Sequence, residues 1–188
     1  MDKDELNGIM EYEYKRVVED NKEILDFGIE INKEKDDYTK WEITMKAPED
    51  SDYKGAKYTL IAEFPLEYPL NNPTFTFKSK FYHCNVDDEG HLKVNWLLKG
   101  MKIDYILPRL LTLFYLQDTT AYENSERSKL YKNNNEEFKE NIRKNVEENK
   151  SEYRKIQNNS PPTYSADQFF SRGGTIATII FSLRNYCI

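Results

Sequence analysis

The stretch Tyr58-Thr59-Leu60-Ile61-Ala62-Glu63-Phe64-Pro65-Leu66-Glu67-Tyr68-Pro69-Leu70-Asn71-Asn72-Pro73-Thr74-Phe75-Thr76-Phe77 decides the fold. Tyr58, Leu60, Ala62 and Phe64 alternate with polar neighbours, and so do Phe75 and Phe77. A period of two places each set on one face of a strand. Between the strands stand Pro65, Pro69 and Pro73, which lack a backbone donor and so belong to a stiff connecting loop. Working outward, Trp41, Ile43 and Met45 alternate in an earlier segment. Asp26 to Ile31 forms another, with Phe27, Ile29 and Ile31 on one face. Turn-forming residues separate them at Lys33 to Asp37 and at Pro48 to Gly55. Four short alternating segments in succession predict an antiparallel meander with one apolar face to be covered.

The cover comes from the two ends. Residues 4–21 carry Leu6, Met10, Val17 and Val18 near one helical stripe. Beyond residue 96 the period changes. Ile106, Leu107, Leu110, Leu111, Leu113 and Phe114 make a patch too broad for a surface helix, which predicts a buried helix across the sheet. Pro108 is tolerated in a first turn, so that helix is expected to start near Asp104 to Ile106. Asp118 to Asn124 reads as a loop and Ser125 to Tyr131 as a short helix. Asn133-Asn134-Asn135 offers an N-cap to a helix carrying Phe138, Ile142, Val146, Tyr153 and Ile156. The fold class is therefore α+β: N-terminal helix, four-stranded antiparallel meander, a loop region, then C-terminal helices. Residues 1–156 form the core domain. Residues 157–188, rich in Asn, Ser, Pro, Thr and Gly, read as a flexible tail.

Composition narrows the function classes. The chain has 188 residues, 38% hydrophobic and 14% aromatic, enough for one packed domain. A net charge of −6 with mixed signs argues against nucleic acid as a partner. Thr175 to Leu183, the most apolar run, is too short to span a membrane, and the charged N-terminus is no secretory signal. Two cysteines exclude a disulfide scaffold, and His83 and His91 without carboxylates at ligand spacing give no metal site. No cofactor is expected. A reducing compartment, cytoplasmic or nuclear, is the expected setting. Pro161-Pro162-Thr163-Tyr164 in the tail is a PPxY pattern, the type of polyproline segment that docks in a WW domain.

Three stretches together resemble the ubiquitin-conjugating enzyme family over about residues 5–156. Ala47-Pro48-Glu49-Asp50-Ser51-Asp52-Tyr53-Lys54-Gly55 is similar to the family's GPxxSPYxGG turn. Phe64 to Pro73 is similar to FPxxYPxxPP. Tyr82-His83-Cys84-Asn85-Val86 is similar to YHPNI, with Gly90 at the matching distance. The resemblance implies the UBC fold and an active-site loop after the fourth strand. It implies that His83 fixes the loop or moves a proton, and that Asn85 holds the loop or donates to an oxyanion. It also implies that Asp118, Glu123 and Asn124 lie on the loop facing the acceptor lysine. Ligase contacts would come from Lys15 and Arg16 on the first helix, Leu70, and the segment Met101 to Ile103.

The family's thioester cysteine follows that Asn by eight residues. Counting from Asn85 reaches Lys93, and Gly90-His91-Leu92-Lys93-Val94-Asn95 aligns without a gap to the family's G-x-I-C-L-D. A thiol near pKa 8.5 supplies about a few per cent thiolate at neutral pH, whereas an ordinary lysine is roughly 99.9% protonated. An amide on Lys93 would also lack the transfer potential of a thioester. The resemblance thus implies a catalytically inactive variant acting as a non-covalent binding or scaffold module. Its partners would be ubiquitin or a ubiquitin-like protein, an activating enzyme, an active conjugating enzyme or a ligase, with a WW-domain protein on the tail. The alternative is an active conjugating enzyme whose catalytic cysteine has been replaced by Lys93, or one in which Cys84 serves.

Overall fold

The computed structural model describes residues 2–20 and 26–159. Helix α1, Lys3–Tyr14, opens with a capping box between Asp2 and Glu5 and continues as a π-helical turn, Lys15–Asp20. Four strands follow: β1, Ile29–Glu34; β2, Asp37–Lys46; β3, Lys57–Glu63; and β4, Thr74–Phe77. They form one antiparallel sheet in the order β1-β2-β3-β4, the expected meander. Helix α2 spans Ile103–Leu110 and tightens into a 3-10 turn, Leu111–Phe114. Helix α3 is Glu126–Asn133 and helix α4 is Asn135–Asn159. Both are capped as their sequences suggest. The Ser125 side chain accepts from the Ser128 amide, and Asn134 Oδ1 accepts from the Glu137 amide.

Register converts the alternation into a core. Ile31 pairs with Ile43, Ile43 with Leu60, and Leu60 with Phe77, so one apolar row crosses all four strands. Trp41, Ala62 and Phe75 form a parallel row. Helix α1 covers part of this face with Leu6 and Met10, the π-helical turn adds Val17, and Tyr14 meets the Trp41 ring edge-on at 5.4 Å. Ile103, Ile106, Leu107, Leu110 and Phe114 join the same core, the last against Tyr58 of β3. The opposite face is polar: Thr44 and Thr59 share a hydroxyl hydrogen bond of 3.0 Å, and Lys57 pairs with Glu30.

Two expectations are corrected. Phe27 is 65% exposed and does not join the strand face. Gly28 takes φ +85° between Phe27 and Ile29, so the chain turns there and the alternation begins one residue later. Pro108 does not sit in the first turn of its helix. Helix α2 starts at Ile103 and Pro108 is its sixth residue, shortly before the α-helix gives way to the 3-10 turn. A short helix loses only one ladder bond to the missing amide, and four buried side chains hold it in place.

The expected tail, residues 157–188, lies almost wholly outside the described residues. So do Pro161, Pro162 and Tyr164, the segment Thr175 to Leu183, and Cys187. No helix among the described residues is long and apolar enough to cross a membrane.

Candidate active-site loop

After β4 the chain runs through Phe81 and Tyr82 into the His83 to Lys93 loop, which folds back along β4. The Phe77 amide donates to the Gly90 carbonyl at 2.8 Å, and the Leu92 amide to the Phe75 carbonyl at 2.9 Å. Gly90 is required at that crossing. It adopts φ +90°, and a Cβ there would stand 2.6 Å from the Phe77 carbonyl oxygen.

His83 is completely buried, with its ring stacked on Phe81 at 5.1 Å. Its Nδ1 accepts from the Asn85 amide at 2.9 Å. That fixes the tautomer with the proton on Nε2, which donates between the carbonyls of Leu113 and Leu116 at 2.9 and 3.0 Å. Burial pulls its pKa down to about 4, outweighing the two carbonyls that favour the cation. Both ring nitrogens are engaged inside the core, so the ring is tied to the 3-10 turn that follows α2.

Asn85 is also buried, and its side chain joins two segments. Nδ2 donates to the Lys93 carbonyl at 2.8 Å, while Oδ1 accepts from the Asp118 amide at 3.0 Å. The backbone adds a bond from the Lys93 amide to the Asn85 carbonyl at 2.9 Å. The fold thus brings together Asn85, Lys93 and Asp118, three residues singled out from the sequence. Asp118 is further held by the Thr120 amide and hydroxyl and by Asn95 Nδ2 at 2.7 Å. The Thr120 hydroxyl is the main reason its carboxyl lies below the usual range. Glu123 and Asn124 are exposed farther along the same loop.

Lys93 is exposed, and its ammonium lies 5.5 Å from the centre of the Tyr122 ring. Cys84 is the opposite case. Its side chain is fully buried, and desolvation pushes the thiol up to about 11, so it stays protonated and closed to a substrate carbonyl.

Several supports have no local sequence signal. The Gln117 side chain accepts from the Cys84 amide and donates to the Tyr53 hydroxyl, each at 2.9 Å. The Tyr53 hydroxyl in turn donates to the Tyr82 carbonyl at 2.8 Å. Arg127 of α3 donates to the Val86 and Asp87 carbonyls, pairs with Asp88 at 2.6 Å and lies over the Tyr82 ring. These partners are 29 to 64 residues apart or on a different helix, so spacing alone could not reveal them. Of the three bracing side chains Gln117, Tyr53 and Arg127, only Tyr53 belongs to one of the motifs quoted above.

The fold also gathers Asp87, Glu89 and His91, whose ligand atoms lie within 4.8 Å of one another. The expectation that no carboxylates approach a histidine at ligand spacing is corrected to that extent. The group is largely exposed, and His91 Nδ1 already lies 3.0 Å from Asp87 Oδ2.

Comparison with known proteins agrees with this arrangement. The family model for ubiquitin-conjugating enzymes matches residues 9–146. The chain belongs to the ubiquitin-conjugating enzyme family. Among curated relatives, it is similar to a probable ubiquitin-conjugating enzyme E2 31 of Arabidopsis thaliana. That match is 30% identical over 107 residues, 55% of this chain and 70% of the relative. The ubiquitin-conjugating enzyme E2 14 of Schizosaccharomyces pombe is 34% identical over 90 residues, 45% of this chain and 58% of the relative. The ubiquitin-conjugating enzyme E2 of African swine fever virus, isolate Pig/Kenya/KEN-50/1950, is 28% identical over 132 residues, 64% of this chain and 59% of that protein. The chain thus spans under two thirds of the latter two.

The segments to which the family resemblance assigned ligase contact meet in the fold, with the Ile103 amide donating to the Tyr68 hydroxyl at 3.3 Å. Leu70 is 70% exposed, and Lys15 is exposed beside Glu11 at 2.8 Å. Arg16 is held by Glu13 and by Asp104 of α2, Nη1 to Oδ2 being 2.8 Å. Met101 is half-buried. Ile103 is fully buried as the first residue of α2, so the expectation that it meets a partner is corrected: its side chain belongs to the core. Leu98 and Tyr105, 63% and 67% exposed, flank it at the surface.

Proposed function

We propose that this conjugating-enzyme relative is catalytically inactive and serves as a non-covalent binding or scaffold module for ubiquitin or a ubiquitin-like protein. The observation that carries the reading is Lys93, eight residues beyond Asn85 on the braced loop, at the position the family resemblance gives to the thioester cysteine. An ammonium there offers no thiolate, and the buried Cys84 thiol does not replace it. Family membership supports ubiquitin as the partner, with activating enzyme, active conjugating enzymes and ligases as further candidates. Lys15, Arg16, Leu70 and Met101 remain the proposed ligase-facing residues, with Asp118, Glu123 and Asn124 on the acceptor side. Recruitment of a WW-domain protein by Pro161, Pro162 and Tyr164 is a separate proposal about residues outside the described ones.

The test is incubation of the purified chain with activating enzyme, ATP and ubiquitin, followed by a non-reducing gel. No reductant-sensitive adduct should form, while isotope-labelled ubiquitin should show chemical-shift changes on adding the chain. A reductant-sensitive adduct would sink the reading.

A second reading has its own support. Asn85 holds the backbone of Lys93 from both the amide and carbonyl sides, so a cysteine at 93 would be presented on a fully supported loop. On that reading the parent protein is an active transferase, and Lys93→Cys would restore a thioester. Failure of Lys93→Cys to accept ubiquitin would remove it.

A further inference from the structure

We propose that Asp87, Glu89 and His91 form a binding site for a divalent transition-metal ion, with zinc as the ion that suits them best. The site is independent of the scaffold reading, since it uses none of the residues on which that reading rests.

The backbone sets the three side chains together. A bridge between Val86 and Leu92 closes the turn Asp87 to His91. Inside it the Asp87 amide donates to the His91 carbonyl and the Gly90 amide to the Asp87 carbonyl, each at 3.2 Å. The turn is anchored to β4 through Gly90, whose carbonyl accepts from the Phe77 amide. Asp87, Glu89 and His91 thus present one ligand atom each, all within 4.8 Å of one another. His91 Nδ1 and Asp87 Oδ2 stand 3.0 Å apart. Metal–ligand bonds of about 2.0–2.2 Å place neighbouring ligand atoms about 3 Å from each other, so this pair already has the spacing and only the Glu89 carboxylate has to close.

Glu89 is the residue that a plain hydrogen-bonded turn leaves unexplained. The ion pairs of this turn among the described residues join His91 to Asp87 and Arg127 to Asp88, and neither takes in Glu89. An exposed carboxylate is nonetheless held beside that of Asp87, where the two repel. A divalent cation turns that repulsion into attraction. The neighbouring cations do not fill the place: Arg127 is committed to Asp88 and to the Val86 and Asp87 carbonyls, and the Lys93 ammonium lies against the Tyr122 ring.

The donor set selects the ion. Calcium asks for six to eight oxygens, more than this turn supplies, and an imidazole beside two carboxylates suits zinc. The outer contacts are of the kind that orient ligands. Asp87 Oδ1 accepts from the His91 amide at 2.8 Å, which leaves Oδ2 for the metal. The Tyr122 hydroxyl, now shared between Asp87 Oδ2 and the His91 carbonyl, keeps the carbonyl when Oδ2 coordinates. On binding, the ion takes the Nδ1 lone pair, and a proton on Nδ1 passes to water or, in the neutral ring, to Nε2. Asp87 and Glu89 also line a groove of about 920 Å³ between this turn and helices α3 and α4, so the remaining coordination position is open to water.

The experiment titrates the full chain with zinc ion alone, followed by calorimetry and by NMR of the two imidazoles. One zinc per chain should bind, moving the His91 resonances and leaving those of the buried His83 in place. Cobalt should replace zinc and give a visible d–d spectrum, and magnesium should not compete. Glu89→Gln and His91→Gln should each weaken zinc binding by more than about ten-fold, a loss typical even of outer-shell partners. Both side chains are exposed, so both variants should fold, which circular dichroism without zinc checks. Zinc that leaves the His91 resonances unmoved overturns the proposal. So does equal binding by the two variants, which would place the ion elsewhere, for instance on Cys187. Competition by magnesium overturns the choice of a transition metal.

Discussion

The inner and outer walls of the His83 to Lys93 loop differ in how tightly their residues are determined. On the inner wall His83, Cys84 and Asn85 are buried, and Gly90 has no room for a side chain. On the outer wall Lys93 and His91 are exposed, and the Lys93 ammonium lies 5.5 Å from the centre of the Tyr122 ring. The inner residues are bound by geometry, so changes there should be read first as stability. The outer residues carry little of the fold, so changes there should be read as function. The same division explains how a loop can keep its shape while the residue at its chemical position changes.

The largest effect should come from His83→Ala. It leaves the Leu113 and Leu116 carbonyls without their donor and opens a cavity beside Phe81. The expected loss is about 4 kcal/mol in chemical denaturation, enough to unfold a marginal domain. A loss below 1 kcal/mol would show that the inner wall is no more determined than the outer. Gly90→Ala follows, at about 3 kcal/mol, because a Cβ meets the Phe77 carbonyl and the backbone conformation is left-handed. Thermal denaturation of the purified variant measures it.

Acid should loosen the same wall. The folded His83 has its pKa drawn down to about 4 by burial, while the unfolded side chain titrates near 6.5. Between those values the unfolded state holds the extra proton. The contribution of neutral His83 is therefore complete above pH 6.5 and declines as pH falls toward 4. At pH 5 the loss amounts to about 2 kcal/mol. Asp87 and Asp118 have lowered values and act in the same direction only at still lower pH. Denaturant titrations at pH 7.5 and pH 5 measure the slope, and NMR of the imidazole identifies its source. A His83 ring that protonates near pH 6.5 in the folded protein would contradict a sealed inner wall.

Legibility in the sequence follows the same division. The sheet was readable because an apolar period of two along Trp41-Ile43-Met45 and Tyr58-Leu60-Ala62 is a local property, and the three prolines between β3 and β4 mark a loop. Phe27 broke the rule because Gly28 turns the backbone between it and Ile29. The start of α2 departs from the local proline signal because packing of Ile103, Ile106, Leu107 and Leu110, and not the position of Pro108, decides that helix. In the loop, Asn85, Lys93 and Asp118 came from a motif and a count. Gln117 and Arg127 could not, since each acts through chain segments brought together only by folding.

The smallest effect expected is that of Lys93→Ala on stability, within about 0.5 kcal/mol. The side chain is exposed, no ion pair of the loop depends on it, and its backbone bonds to Asn85 survive the change. Its contact with Tyr122 is a surface cation–π pair, worth little in water. Equilibrium denaturation beside the unchanged protein decides the matter, and the same variant can then be compared for ubiquitin binding at equal stability. A loss above about 1 kcal/mol would mean that Lys93 is part of the scaffold, and any binding defect would lose its meaning. A stable variant that binds less ubiquitin places the selection at position 93 on recognition, because nothing in the fold then requires a lysine there.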